Sequence, residues 1–230
     1  MRLDGGNVLI TGGASGLGAA TVDAVRLAGG VPLVLDLADA PPGVDGEHVD
    51  LADPHAATTA VDRLVARHGR LDAVVTAAGT DSCGRLADVD PRAWERVIMV
   101  NLIGTAAVIR AALPHLERAD GRIVTIGSTL GQRAVSDATA YCASKFGVVG
   151  FTRSLTAELA GQVGVTMVVP GGMDTAFFDS RDAQYRPPPD AELNDPANVA
   201  AAVVFALAQP PGCEVRELVV TPSTEPSWPP

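Results

Sequence analysis

The feature that leaves the fewest folds open is a glycine-rich turn set between an apolar run and a helical pattern. Asn7-Val-Leu-Ile10 passes directly into Thr11-Gly-Gly-Ala-Ser-Gly-Leu-Gly18, and a helix is expected from about Leu17 to Leu27. Glycines there permit a tight turn and let backbone amides approach a pyrophosphate, which the positive end of the following helix also attracts. Read alone, such a loop is either a phosphate cradle or a turn with spare glycines; the strand before it and the helix after it favour the cradle.

Strand and helix patterns then alternate along the chain. Strands are expected at Val31 to Leu35, Glu47 to Asp50, Leu71 to Ala77, Gly121 to Ile126, Val163 to Val169 and Glu214 to Val220. Between them, Asp53-Pro54, Asp90-Pro91 and Asp195-Pro196 each read as N-cap and first helical residue, opening helices to about His68, Arg118 and Ala208. Another helix is expected around Tyr141 to Leu159. Such alternation implies one α/β domain, a parallel sheet of about seven strands with right-handed crossovers, helices on both faces and ligands at the carboxyl ends of the strands. Asp36 ends the second strand about 20 residues past the glycine loop, where a ribose-binding acid is expected; solvated punctuation is the plainer reading. Residues 175–194 contain three consecutive prolines and no sustained period, and read as a substrate-covering loop; residues 221–230 form a Pro-rich tail.

Composition narrows the function classes. Of 230 residues, 27 are acidic and 17 basic, a net charge of −10 that repels nucleic acid and anionic membranes. The N-terminus shows no h-region and no apolar run reads as a membrane span, so a cytoplasmic protein is expected. Cys83, Cys142 and Cys213 suggest buried thiols rather than disulfides, and no metal site is expected.

The chemistry is expected between Ser128 and Lys145. Tyr141 and Lys145 lie four residues apart, on one helical face. An ammonium there can lower a tyrosine pKa from its usual ~10, and the Ser128 hydroxyl can stabilise the phenolate. The bland reading is an aromatic contact beside a solvated charge, and for Ser128 and Asn101 it is a cap and a buried polar bridge.

The motifs, in order, resemble those of the short-chain dehydrogenase/reductase family over nearly the whole chain. Thr11-Gly12-x-x-x-Gly16-x-Gly18 is similar to its cofactor loop, Asp50-Leu51 to its adenine contact, Ala77-Ala78-Gly79 to its central sheet motif and Asn101 to its helix asparagine. Ser128, Tyr141 and Lys145 resemble its catalytic triad, and Pro170-Gly171 through Met173 to Thr175 resembles the segment that holds the nicotinamide amide. Val215 to Pro222 resembles a common family ending. Two departures stand out: Thr76 replaces the usual first asparagine of N-A-A-G, and the C-terminal Asp-Gly-Gly is absent.

The resemblance implies a single-domain Rossmann-type fold and an oxidoreductase interconverting a secondary alcohol and a ketone. Tyr141 would act as acid/base, Ser128 would orient the substrate oxygen, Lys145 would hold the nicotinamide ribose, and Asn101 would extend a proton path to solvent. The implied cofactor is NAD, held by Gly12, Ser15, Gly16, Leu17, Gly18, Asp36, Asp50, Leu51, Ala78, Gly79, Tyr141, Lys145, Pro170, Gly171, Met173 and Thr175. Asp36, with no basic residue in the loop, argues against NADP and its 2′-phosphate. An NADPH-dependent reductase and a non-catalytic dinucleotide sensor are the alternatives. Thr80, Ser82, Thr129, Gln132, Met173, Phe177, Phe178 and Tyr185 are the expected pocket wall. Small residues on two helices (Gly104, Ala106, Ala107; Ala143, Gly147, Gly150) suggest a homo-dimer or tetramer, with Trp228 touching a neighbour.

Overall fold

The computed structural model describes residues 3–230. Seven parallel strands form one sheet: β1 (Asn7–Thr11), β2 (Val31–Asp36), β3 (Asp45–His48), β4 (Ala73–Thr76), β5 (Arg122–Ile126), β6 (Gly164–Pro170) and β7 (Glu217–Val220), in the order β3-β2-β1-β4-β5-β6-β7. The order reverses between β1 and β4, which opens a crevice at the carboxyl ends. β1, β4 and β5 are buried throughout because helices cover both faces, and this is why they read as mainly apolar runs without alternation.

The helices are α1 (Gly16–Leu27), α2 (Pro54–His68), α3 (Pro91–Ile98), α4 (Thr105–Arg118), α5 (Thr139–Glu158) and α6 (Pro196–Leu207). One core joins α2, α4 and the end of α5 to one sheet face through Leu64, Val108, Leu116 and Leu155. The other joins α1 and α6 through Val22, Val25, Val199 and Val203. The three Asp-Pro pairs start helices as expected: Asp53, Asp90 and Asp195 accept first-turn amide hydrogens at 2.8–3.0 Å. Each such cap is worth about 1 kcal/mol.

Several expectations need correction. β3 begins two residues earlier than expected and is polar, because an edge strand needs only backbone pairing with β2; Arg67 holds its Asp45 and Glu47 at 2.9 and 2.5 Å. The long helix from Pro91 is interrupted by a π-helical segment at Met99–Gly104. Its span to Arg118 is long and apolar enough to cross a bilayer by length and composition, contrary to the sequence reading, yet half of that window is buried in the fold. Gly104 and Ala107 are buried within the chain, so they are spent on internal packing; Ala143 and Gly150 remain exposed. Of the cysteines only Cys142 is buried; Cys83 is half-buried and Cys213 exposed, and none is paired.

Candidate active site

The carboxyl ends of the strands border a cleft of about 750 Å³. At one end lies the glycine loop. A Cβ on Gly18 would stand 1.9 Å from the Gly12 carbonyl oxygen, so α1 can start this close to the loop only with glycine there. Unlike α2, α3 and α6, α1 has no side-chain cap: Ser15 is its N-cap residue and makes no capping bond. Its first amides are left for an external anion. Asp36 follows on β2, its two oxygens accepting the Ala14 and Ala38 amide hydrogens at 2.9 Å each. Thr175 packs 3.6 Å from where a Gly16 Cβ would be, joining the loop to the β6 end of the cleft.

Of the expected cofactor residues, all sixteen line this cleft, Gly12, Leu17, Leu51, Ala78, Gly79, Pro170, Gly171 and Met173 among them. The site thus fits a dinucleotide: uncapped amides for the pyrophosphate, an acid for ribose hydroxyls, and one cleft of about 750 Å³ running on to Ser128 and Tyr141. Asp50, on the same wall, also has a partner within the chain. Its carboxylate is held bidentately by Arg96 at 2.9 and 3.1 Å and lies below the usual carboxylate pKa range, mainly because of that arginine. Arg96 therefore joins the cleft wall at the position where an adenine contact by Asp50 was expected.

At the other end, β5 delivers Ser128 and α5 delivers Tyr141 and Lys145. Ser128 is buried and its Oγ accepts the Leu130 amide hydrogen at 3.1 Å, capping a short turn at Thr129–Gly131. Burial pushes the Tyr141 hydroxyl up to about 12, a rise partly offset by the neighbouring Ser128 hydroxyl. Lys145 does not produce the expected lowering. Its Nζ sits 5.7 Å from the Tyr141 ring centroid, donates to the Ile126 carbonyl at 2.9 Å, and is itself pulled down to about 8 by burial.

Asn101, expected on a proton path, is anchored by hydrogen bonds within the chain. It is buried in the π segment, its Oδ1 accepting from the Thr80 amide (2.8 Å) and its Nδ2 donating to the Thr80 carbonyl (2.9 Å) and Ser144 Oγ (3.0 Å). Both its amide protons are committed, and it ties the loop after β4 to α5, one turn from Tyr141. The substituted Thr76 is buried with its Oγ1 unpartnered, while the sheet contact is made by Thr11 Oγ1, which accepts the Ala78 amide hydrogen at 3.0 Å.

Thr80, Thr129, Met173, Phe177 and Phe178 line the substrate end, but Ser82, Gln132 and Tyr185 do not. Two features missed by sequence reasoning close it. In the covering loop, Arg181 Nη2 donates to the nearly buried Asp81 carboxylate at 2.5 Å and its guanidinium stands 4.6 Å from the Phe178 ring centroid; Phe177 in turn meets the Tyr141 ring at 5.7 Å. The C-terminal tail also folds onto the chain's own cleft. Glu225 Oε2 accepts the Gly172 amide hydrogen at 2.8 Å, and Ser227 Oγ lies 2.7 Å from Thr129 Oγ1. A signal for the tail existed: β7 runs parallel to β6 with Val220 opposite Pro170, so the chain must emerge beside Gly171. Arg181 and Asp81, 100 residues apart, offered none.

Among the described residues no group of His, Cys, Asp and Glu is arranged to hold a metal. The short chain dehydrogenase family model matches residues 6–186. The chain is 33% identical over 224 residues to D-threitol dehydrogenase of Mycolicibacterium smegmatis, covering 89% of this chain and 86% of the relative. Its fold is similar to the ligand-free aldohexose dehydrogenase of Thermoplasma acidophilum (TM-score 0.86, 26% identity, 95% and 93% of the two chains). It is also similar to a Burkholderia cenocepacia short chain dehydrogenase in complex with NADP (TM-score 0.83, 27% identity, 96% and 98%). A glycine loop at the switch point, a Ser-Tyr-Lys set at the facing strand end and a match spanning both have one common account: the chain belongs to the short-chain dehydrogenase/reductase family of nicotinamide-dependent oxidoreductases.

Proposed function

We propose that the protein is an NAD-preferring dehydrogenase that interconverts a secondary alcohol and a ketone, with Tyr141 as acid/base. The observation that carries this reading is that Ser128, Tyr141 and Lys145 share one cleft with the glycine loop and Asp36. The bound nicotinamide supplies the hydride acceptor or donor. Tyr141 gives its phenol proton to the carbonyl oxygen in reduction and takes the hydroxyl proton in oxidation, while Ser128 orients that oxygen. Lys145 at the neighbouring turn of α5 holds the ribose. Substrates rich in hydroxyl groups suit the reading, since D-threitol and aldohexose dehydrogenases are among the relatives.

NAD is favoured by charge. One solved relative carries NADP, whereas here the residue ending β2 is an acid whose hydrogen-bond partners among the described residues are backbone amides. A 2′-phosphate 4 Å from that carboxylate would be repelled by about 4 kcal/mol at an effective dielectric of ~20, before screening. The test is kcat/KM with NADH and NADPH over a ketone panel, and with NAD over the matching alcohols. Equal values for the two reduced cofactors would overturn the NAD preference; absence of turnover with NADH bound would overturn the enzymatic reading. We further propose a cytoplasmic homo-dimer or tetramer, supported by three unpaired cysteines and by exposed Ala143, Phe146 and Gly150 on one stretch of α5.

A further inference from the structure

We propose that Glu225, carried into the substrate end of the cleft by the C-terminal tail, is a specificity-determining residue that admits neutral, hydroxyl-bearing substrates and excludes carboxylates. The proposal rests on the alcohol/ketone reading above and names the charge class of its substrate.

The tail is held by a set of bonds rather than by one. Thr224 Oγ1 donates to Glu192 in the covering loop at 2.8 Å, Arg133 Nη1 donates to the Pro226 carbonyl at 2.9 Å, and Ser227 Oγ meets Thr129 Oγ1, the neighbour of Ser128, at 2.7 Å. Between these anchors Glu225 Oε2 bonds the Gly172 amide, and Oε1 accepts from the Ser227 amide (3.1 Å) and hydroxyl (2.5 Å). The fit leaves no room for a side chain beneath it: a Cβ on Gly171 would stand 2.2 Å from Oε2. Glu225, Pro226 and Ser227 share one cleft with Ser128, Tyr141, Phe177 and Arg181.

Charge at that end then follows by elimination. Arg181 and Asp81 pair at 2.5 Å and cancel, and Lys145, the other cation of this end, donates to the Ile126 carbonyl at 2.9 Å and is committed to the cofactor ribose in the reading above. All three donors to Glu225 are neutral, and no ion pair of Glu225 occurs among the described residues. Arg133, the cation that approaches the tail, gives its Nη1 to Pro226 instead. The three bonds leave Oε2 one acceptor position. A substrate hydroxyl can donate to it; a substrate carboxylate meets a like charge that has no ion-pair partner among the described residues.

The test uses the full chain with NADH bound and two isosteric ligands that differ in charge, isobutyramide and isobutyrate, titrated by NADH fluorescence. Wild type is expected to bind the amide at least about tenfold more tightly. Glu225→Gln, which keeps the shape and removes the charge, is expected to bring the two within about threefold, chiefly by admitting isobutyrate. A chain ending at Pro222, lacking the acid with its segment, must lose the discrimination too. Equal binding by wild type, binding of neither ligand, or discrimination unchanged in Glu225→Gln would overturn the proposal, as would equal weakening of both ligands, which marks a merely structural tail. Ketone turnover measured alongside separates the two readings: lost turnover with discrimination intact removes the enzyme reading alone, and unchanged discrimination in an active Glu225→Gln removes only this one.

Discussion

Tyr141 and Lys145 move in opposite directions when α5 packs on the sheet, and one cause drives both: burial disfavours the charged form, raising the phenol to about 12 and lowering the ammonium to about 8. The free protein therefore holds Tyr141 protonated across the neutral range, poised as a proton donor. Ketone reduction should accordingly stay flat from about pH 6 to 7.5, below the range in which Lys145 loses its proton, whereas kcat/KM for alcohol oxidation should climb with pH without a plateau below about 10; a plateau near 7 would show a base activated already in the free enzyme. Tyr141→Phe should retain NADH affinity, measured by fluorescence, and lose about 10²–10⁴-fold in kcat. Lys145 also affects stability. Folded, it binds fewer protons than its unfolded form between about 8 and 10.5, so its burial penalty, fully present below pH 8, is relieved as pH rises through that window. The full shift corresponds to roughly 3 kcal/mol. Urea midpoints of wild type relative to Lys145→Met should rise from pH 8 to 10, a comparison in which the opposing titrations of Cys83 and Tyr141 cancel.

The loops and breaks in the elements hold the site together. In the π segment the Asn101 amide has every proton committed, so Asn101→Ala strips hydrogen bonds from Thr80 and Ser144 and should cost about 2–3 kcal/mol in urea unfolding. Unchanged stability with lost turnover would instead assign Asn101 a direct part in proton transfer. The middle of the covering loop is held by the nearly buried Arg181–Asp81 ion pair, reinforced by the Phe177 and Phe178 rings, while its end is tied separately to Gly172 and Thr224. Removing one member leaves the other charge buried and alone. Arg181→Leu should therefore loosen residues 175–194, seen as faster limited proteolysis there, with the glycine-loop end and its NADH affinity unaffected.

At the scale of the molecule, the parallel sheet sends every functional segment to one edge: the glycine loop after β1, Asp36 after β2, Ser128 after β5, the Pro170 segment after β6 and the tail after β7. The acid at the end of β2 then governs cofactor choice. Asp36→Ala should largely abolish the preference for NADH over NADPH, and raised salt should weaken it in wild type, because the discriminating charge is partly exposed. Light scattering at micromolar protein should report a dimer or tetramer; a monomeric mass would leave the exposed face of α5 without a partner.

What the sequence by itself determined is the part of this protein written in local patterns. Buried strands are mainly apolar runs, helix starts are Asp-Pro pairs, the glycine loop lies between one strand and one helix, and Tyr141 and Lys145 are one helical turn apart, so the element order and the main site residues can be read in one dimension. Only the tertiary structure decided the rest. β3 carries no hydrophobic signal because it is an edge, and the π segment depends on Asn101 reaching Thr80 and Ser144 across the fold. Asp81 meets Arg181, and Gly172 meets Glu225, across 100 and 53 residues with no periodicity to announce either contact. The direction of each pKa shift belongs to this second class as well: an ammonium near a phenol lowers its pKa in water, but burial outweighs it here, and burial is a property of the packed chain.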